Sequence, residues 1–572
     1  MATRLAEAPR AWWPARRHLL PAAEHDRVLA AARIEQHGGL TALYLAGTPY
    51  EMGYQHGVLA RDLILGFRRT AYAYVTSLVP GPGLLARPLL FYQGAAYWPT
   101  IPSEIAEEMR GIADGAGIHP IEVLVSTVIW EMFLVSGCSE FAAVAPVTTV
   151  GSLIHGYNYD LMHPDHALIQ PYLVALFYRP NQGIPFVTVN TAGSVGANAG
   201  LNEAGISVAW DNTYLKDDEM PRDTGLSRDT SVLRSISLPV VPYVITLRRL
   251  LQHSQHLEDA VWILADSLPR PLGDIAIVGS AQEGRAVAVE TAGQVHAVRD
   301  MEGGAVWSTN CFRSSTLAPY DRRGDAGGLP AESAWRRFPR YTAYSHLFAA
   351  CEGRLTPATA AAFLRDPYPR EAEGFVYPSL ASRATICRDI TSWSLVMEPE
   401  RGRLWISDTE LPGCQGRFYA FDLAGWQRLP DQDLPPTGYR HALRCGEQFL
   451  SGDRRAARQA LEQALALDGQ TAPLLLMQAL LDGLDGEEAA AAGRLREVQA
   501  RWGGSAAGAL ARAWLEGEGG PGPGPLPDVR LPFPSAIRPL LHFRPAGTWL
   551  ERAAPATAQR ALAGAPDVPV TE

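Results

Sequence analysis

Cysteine is scarce. Six occur in 572 residues, at Cys138, Cys311, Cys351, Cys387, Cys414 and Cys445, with no C-x-x-C pair among them. That scatter argues against a cysteine-built zinc site and against a dense disulfide framework, and leaves room for one chemical cysteine among buried ones. Long apolar runs are missing too. The best candidate, Ile121 to Val135, carries Glu131, so no stable membrane insertion is expected. The opening MATRLAEAPRAWWPARRHLL holds charges and proline where a signal peptide needs an uninterrupted apolar stretch, and a cytoplasmic location is the expectation. Positive charge is in deficit. A formal net charge of −10 offers phosphate backbones no general attraction, so nucleic acid is not an expected partner. The G-x-S-x-G, H-E-x-x-H and P-loop patterns are absent. His163-Pro-Asp-His166 only superficially suggests metal ligands; two histidines without other clustered ligands read as solvated loop residues. No metal and no cofactor is expected.

What remains is ordinary globular composition, 47% apolar and 19% charged, in a chain too long for one core. Residues 1–137 read as mainly helical: Asp62 to Leu78 and Ser103 to Gly115 mix apolar and charged residues at helical spacing, and Ile121 to Val135 reads as a buried segment. At Cys138 the texture switches to short β-type runs joined by turn residues, and this continues to about 430. Leu173–Tyr178 with Pro185–Asn190, Ile275–Val278 with Ala286–Glu290, and Trp393–Met397 with Arg403–Ser407 have the spacing of hairpins. Ile206–Trp210 follows the turn Asn202-Glu-Ala-Gly205. Helical patterns return over 231–267 and 331–365. The expectation is a layered α+β domain. Residues 431–516 are rich in Ala, Leu, Glu and Arg. Gly452-Asp453 followed by Ala456, Ala460, Leu461, Ala464 and Leu465 resembles the second helix of a tetratricopeptide repeat; a plain helical hairpin fits equally. Residues 517–572 open with a Gly/Pro-rich linker and end in a Pro/Ala-rich tail.

The segment that says most is Ser136-Gly137-Cys138-Ser139-Glu140, followed by Gly156-Tyr157-Asn158-Tyr159-Asp160. A lone cysteine opening a strand is usually a core residue. Here the helical-to-β switch falls on it, and the glycine before it would admit the strained backbone that an internal acyl shift needs. Gly-Cys-Ser, with Gly-x-Asn-x-Asp about twenty residues on, resembles the acyl-coenzyme A:6-aminopenicillanate acyltransferase group of Ntn hydrolases, related more distantly to choloylglycine hydrolases and penicillin V acylases. Gly47-Thr-Pro-Tyr-Glu-Met-Gly53-Tyr-Gln-His-Gly57, Glu108-Met-Arg-Gly-Ile-Ala-Asp-Gly-Ala-Gly117, Gly200-Leu-Asn-Glu-Ala-Gly205, Thr309-Asn310 and Ser394-Leu to Trp405-Ile are similar to other stretches of that family. The resemblance spans roughly residues 40–425.

It implies a four-layer αββα sandwich, to which the composition of 431–516 adds a small all-α, tetratricopeptide-like C-terminal appendage. It further implies a precursor that cuts itself between Gly137 and Cys138 into two fragments that stay associated. A thiol titrates near ~8.5 and an α-amine near ~7.7–8.0, so a freed amine can take the thiol's proton at neutral pH. Cys138 matches the nucleophile and Asp160 the residue that holds the new amine. Asn310 and Asn212 match oxyanion groups. Arg337, with Arg340 its nearest competitor, matches an arginine that steadies the site's charge. On a blander reading Asp160 and Asn158 cap a turn, the two other asparagines are ordinary strand-end residues, and Arg337 is a surface charge. Tyr157 stands where choloylglycine hydrolases carry arginine, and Cys311 where many relatives carry histidine; Cys311 reads as a small buried hydrophobe.

The expected activity is hydrolysis or transfer of an acyl group from a small acyl amide or acyl thioester, through a thioester on Cys138. Two alternatives stand beside it. One is a lipid amidase of the phospholipase-B or ceramidase kind; the other is a silent scaffold that binds a protein partner through 431–516.

Overall fold

The computed structural model describes residues 19–78, 86–133, 137–149, 151–161, 169–213, 240–321, 339–351, 353–366, 370–371, 374–375, 385–388, 390–503 and 506–516. Arg337, the His163–His166 stretch and the linker and tail of 517–572 lie outside them. The chain divides into two compact units: 1–365 with 390–414 and 418–434, and 366–389 with 415–417 and 435–572.

The first unit is mixed α+β, and its described residues open with six helices: α1 Ala22–Ala30, α2 Pro49–Leu59, α3 Arg61–Leu78, α4 Ala86–Tyr97, α5 Ser103–Ala116 and α6 Pro120–Phe133. The helical reading of this region is incomplete. Two strands, β1 Arg33–His37 and β2 Leu40–Gly47, precede most of the helices, and β2 pairs in parallel with Leu173–Pro180 far along the chain. The glycines of the opening motif have a packing role. Helix α2 starts on a capping box, Thr48 with Glu51, with Pro49 in its first turn, and then lies backbone to backbone on α5. A Cβ on Gly53 would stand 2.0 Å from the Glu108 carbonyl, and one on Gly111 would stand 2.2 Å from that of Tyr50. Only glycine permits so close a crossing.

A nine-stranded sheet runs in the order β1-β2-β5-β6-β7-β8-β9-β10-β11. Its remaining strands are β5 Leu173–Pro180, β6 Phe186–Thr191, β7 Ala199–Asn202, β8 Ile206–Thr213, β9 Arg270–Ser280, β10 Arg285–Gly293 and β11 Val295–Asp300. The β7–β8 turn needs Gly205 at φ 81°. A second sheet has seven strands in the order β12-β3-β4-β15-β16-β17-β18. These are β3 Ser139–Ala143, β4 Ile154–Asp160, β12 Ala305–Ser308, β15 Thr391–Glu398, β16 Arg403–Ser407, β17 Phe418–Asp422 and β18 Gln427–Arg428. A short pair, β13 Arg370–Glu371 with β14 Gly374–Phe375, stands apart in the second unit.

The two faces of β3 and β4 go to different neighbours, as strand alternation requires. Phe141 packs on Tyr344, Phe348 and Phe363 of α9 (Pro339–Ala350) and α10 (Pro357–Leu364). On the other face, the His155 ring lies 3.0 Å from Ser207 Oγ of β8, and Cys138, Tyr157 and Tyr159 join a core cluster shared with β5, β6 and β8. Helices α7 Tyr243–His253 and α8 Leu257–Asp266 complete the unit. The second unit carries α11 Tyr439–Leu450, α12 Arg454–Asp468, α13 Ala472–Leu484, α14 Glu488–Trp502 and α15 Ala506–Glu516 around their own core. Asp482, buried on α13, takes Arg458 of α12 at 2.9 Å and Arg494 of α14 at 2.5 Å. Among the described residues no single helix is long and apolar enough to cross a membrane.

Candidate active site

Cys138 sits one residue before β3. The antiparallel register with β4 extends past the strand's end, because the Gly137 N–H donates to the Asp160 carbonyl at 2.9 Å. Gly137 therefore continues the pairing of the two strands by one residue beyond β3. The Cys138 side chain is 1% exposed. Its sulfur accepts a hydrogen bond from Tyr157 Oη at 3.3 Å. Burial, followed by the nearby carboxylates of Asp211 and Asp160, pushes the thiol well above its ordinary range, while the Tyr157 hydroxyl and a main-chain group of Asp160 pull the other way.

Asp160 ends β4, fully buried. Its Oδ1 accepts from Thr391 Oγ1 of β15 at 2.7 Å, and its Oδ2 lies 3.7 Å from Arg340 Nη1. Asn158 is inside the same strand and bridges it to α10, donating to the Leu364 carbonyl at 2.9 Å. Neither residue caps a turn.

Arg340, the second residue of α9, ties the site together. Its guanidinium donates to the Cys138 carbonyl at 2.8 Å, to the Thr309 carbonyl at 3.3 Å and to Asn310 Oδ1 at 2.7 Å. The helix that carries it is fastened to β12 by Trp307, whose indole donates to the Tyr341 carbonyl at 3.1 Å. The fork geometry of guanidinium suits this triple contact in a way an ammonium could not.

Asn310 follows β12 in the left-handed region, φ 62°, which asparagine tolerates better than most residues. Asp211 of β8 holds it there. The Asp211 carboxylate accepts from the Asn310 main-chain N–H at 2.6 Å, from Ser308 Oγ at 2.9 Å and from Asn310 Nδ2. The same Nδ2 reaches the Asn212 carbonyl at 2.7 Å and Asn212 Oδ1 at 3.3 Å. Towards Asn310, then, Asn212 acts as an acceptor.

Of the residues singled out from sequence, Cys138, Asp160, Asn310 and Asn212 converge from β3, β4, β12 and β8. Arg337 falls outside the described residues, and its nearest competitor, Arg340, makes contacts with Cys138, Thr309 and Asn310. Asp211 was missed. Its signal was a carboxylate inside the otherwise apolar strand Ile206–Trp210, next to the asparagine that drew attention instead. Glu140 was missed as well. It is fully buried two residues from Cys138, and burial together with Asp211 pushes it well above the carboxylate range, with the Ile277 main chain pulling the other way. Cys311 is buried beside Thr309 and is pushed up to about 12, by burial first and Asp321 second. Among the described residues no group of three or more His, Cys, Asp or Glu could hold a metal ion.

Residues 148–373 match the family model described as acyl-coenzyme A:6-aminopenicillanic acid acyl-transferase. The resemblance read from the sequence holds there: the matched stretch contains Asp160, Asp211, Asn212, Asn310 and Arg340 and begins just after Cys138. An uncharacterized protein of Archaeoglobus fulgidus is 29% identical over 301 residues, covering 46% of this chain and 45% of that protein. The chain thus spans under half the length of that curated relative. Among solved structures, an N-acylethanolamine-hydrolyzing acid amidase ortholog of Caenorhabditis elegans is similar at TM-score 0.31 and 16% identity, covering 46% of this chain and 93% of that one. A C2A mutant of the conjugated bile acid hydrolase of Clostridium perfringens (TM-score 0.31, 12% identity, 51% and 93% covered) and a penicillin V acylase of Agrobacterium tumefaciens (TM-score 0.31, 12% identity, 50% and 86% covered) are alike to the same degree. At that score the likeness is too slight to bear on the site.

Proposed function

We propose that this chain is a cysteine Ntn amidohydrolase or acyltransferase that cuts itself between Gly137 and Cys138 and then acts on a small acylated amine. The observation that carries the reading is the convergence of Asp160, Arg340 and Asn310 on the cysteine that opens β3, within a chain whose following residues match an acyltransferase family. Scission creates an α-amine on Cys138 beside Asp160. That amine takes the thiol's proton, and the sulfur attacks the acyl carbonyl. The C–N bond then breaks as the ammonium returns the proton to the departing nitrogen, leaving a thioester. Water or a second amine attacks the thioester by the same relay, which decides between hydrolysis and transfer. Base assistance of this kind is worth about 10²–10⁴ in rate. Asn310 supplies the oxyanion donor. Its amide now donates to Asp211 and Asn212, so the acyl oxygen takes over the Asn212 bond.

We read the two sheets with their flanking helices as the αββα sandwich of such enzymes. The five C-terminal helices we read as a tetratricopeptide-like appendage able to hold a protein partner. The test is a denaturing gel of the purified chain followed by N-terminal sequencing. Wild type is expected to yield associated fragments of 137 and 435 residues (572 − 137 = 435), the larger beginning Cys-Ser-Glu, and Cys138→Ala is expected to stay whole. A screen of acyl amides and acyl thioesters by mass spectrometry on the cut protein then names the substrate. Wild type that stays whole on long incubation refutes the proposal and leaves the scaffold reading.

A further inference from the structure

Almost everything charged near the Cys138 sulfur opposes a thiolate. The carboxylates of Asp211 and Asp160 are both close enough to disfavour a second negative charge. The cation in the cluster, Arg340, is spent elsewhere: its nitrogens go to two main-chain carbonyls, to Asn310 Oδ1 and toward Asp160. Glu140, two residues along the same strand face, brings no positive charge either. What does touch the sulfur is Tyr157. It stands opposite Glu140 in the β3–β4 register, on the same face as Cys138, and its hydroxyl points at Sγ from 3.3 Å. The ring cannot swing away. It packs edge-on to Trp393 with centroids 5.3 Å apart and lies 6.3 Å from Tyr159, all three fully or almost fully buried.

We infer that Tyr157 is a catalytic residue. Its O–H is the donor that carries the charge of the Cys138 thiolate, and its wedged ring fixes the direction in which the sulfur attacks. A phenol does this without adding charge: the O–H···S bond shortens and strengthens as the sulfur loses its proton, as charge-assisted bonds do, and the hydroxyl proton stays on oxygen throughout. The sulfur's own proton goes to the α-amine, so the step balances with no further acid or base. The consequence is a thiolate shared between the new ammonium, which holds its proton, and one neutral hydroxyl, which donates to its sulfur.

The inference rests on Cys138 being the nucleophile, and the experiment separates the two. Tyr157→Phe in the full chain keeps the ring and removes the donor; a melting curve matching wild type certifies the fold. After scission, the rate at which iodoacetamide alkylates Cys138 is followed against pH by peptide mass spectrometry. Losing a hydrogen bond to a charged group is expected to move the midpoint of that profile up by about one pH unit and to slow alkylation at neutral pH on the order of 10-fold. A fluorinated tyrosine at 157, with a more acidic hydroxyl, moves the midpoint down, which a merely space-filling role would not do. A wild type that cuts and turns over while all three profiles superimpose overturns the inference alone. A wild type that never cuts overturns the reading of the site and this inference with it.

Discussion

On the proposed function Asp211 is the residue that holds the oxyanion donor Asn310 in place, and Asp211→Asn isolates its part. The substitution keeps the shape and one oxygen. That oxygen can still receive the Asn310 N–H and Ser308 Oγ, now as a neutral acceptor. The new amide nitrogen, however, faces Asn310 Nδ2, donor against donor. Two charge-assisted bonds weaken by about 1 kcal/mol each, and a third, worth about 2 kcal/mol, is lost. Relief of a buried carboxylate beside Glu140 and the thiol returns part of this, for a net loss of about 2–4 kcal/mol. Asn310, at φ 62°, is then held less firmly, and a misplaced oxyanion donor costs about 10²–10³ in turnover. The thiol responds in the opposite sense, because a neighbour that disfavoured its ionised form has gone. The variant should therefore alkylate faster at neutral pH and turn over more slowly. Urea unfolding, iodoacetamide kinetics and kcat on the same preparation check all three. A turnover that rises with the easier ionisation of the sulfur would refute the claim that Asp211 acts through Asn310.

Arg340→Ala should abolish turnover and slow scission sharply, and Arg340→Lys should rescue little, since one ammonium cannot reach the Cys138 and Thr309 carbonyls and Asn310 together; breaking a buried pair with Asp160 costs about 3–5 kcal/mol. Arg337→Ala, assayed beside it, should do much less, and equal effects of the two would revoke the assignment to Arg340. Glu140→Gln tests the buried acid in uncut Cys138→Ala protein. A carboxyl whose folded value is raised contributes its full stability below the ordinary value of about 4.3, and loses it as pH rises toward the folded value, at about 1.4 kcal/mol per pH unit. The Gln variant should match the parent near pH 4 and become progressively more stable than it up to neutrality, in urea midpoints taken at each pH. A gap that does not change with pH would show that Glu140 is not held protonated beside Asp211.

The difference between what sequence revealed and what it hid follows from range. Elements built on local period were legible: the β5–β6, β9–β10 and β15–β16 hairpins and helices α3, α5 and α6 lie within a few residues of their expected places, because alternation and helical spacing act over short distances. Strands β1 and β2 were overlooked although they form a hairpin across Gly38-Gly39, a local turn signal; the parallel pairing of β2 with β5, more than a hundred residues away, is what no local signal carries. The site divides along the same line. Cys138 and Asp160 sit at adjoining strand ends with a short, recognisable spacing, so their meeting was foreseeable. Asp211 and Asn212 are neighbours in the chain, and both reach Asn310 nearly a hundred residues on, the one through its carboxylate and the other through its main-chain carbonyl and Oδ1. No local pattern names the asparagine after β12 as the place where they meet. Arg337 and Arg340 stand three residues apart in the sequence, which does not choose between them; the docking of α9 on β12 through Trp307 and Tyr341 brings Arg340 to the cysteine carbonyl. The residue types a site needs can be read from a sequence, but choosing among near neighbours of the same type requires the long-range contacts that fix which way each one faces.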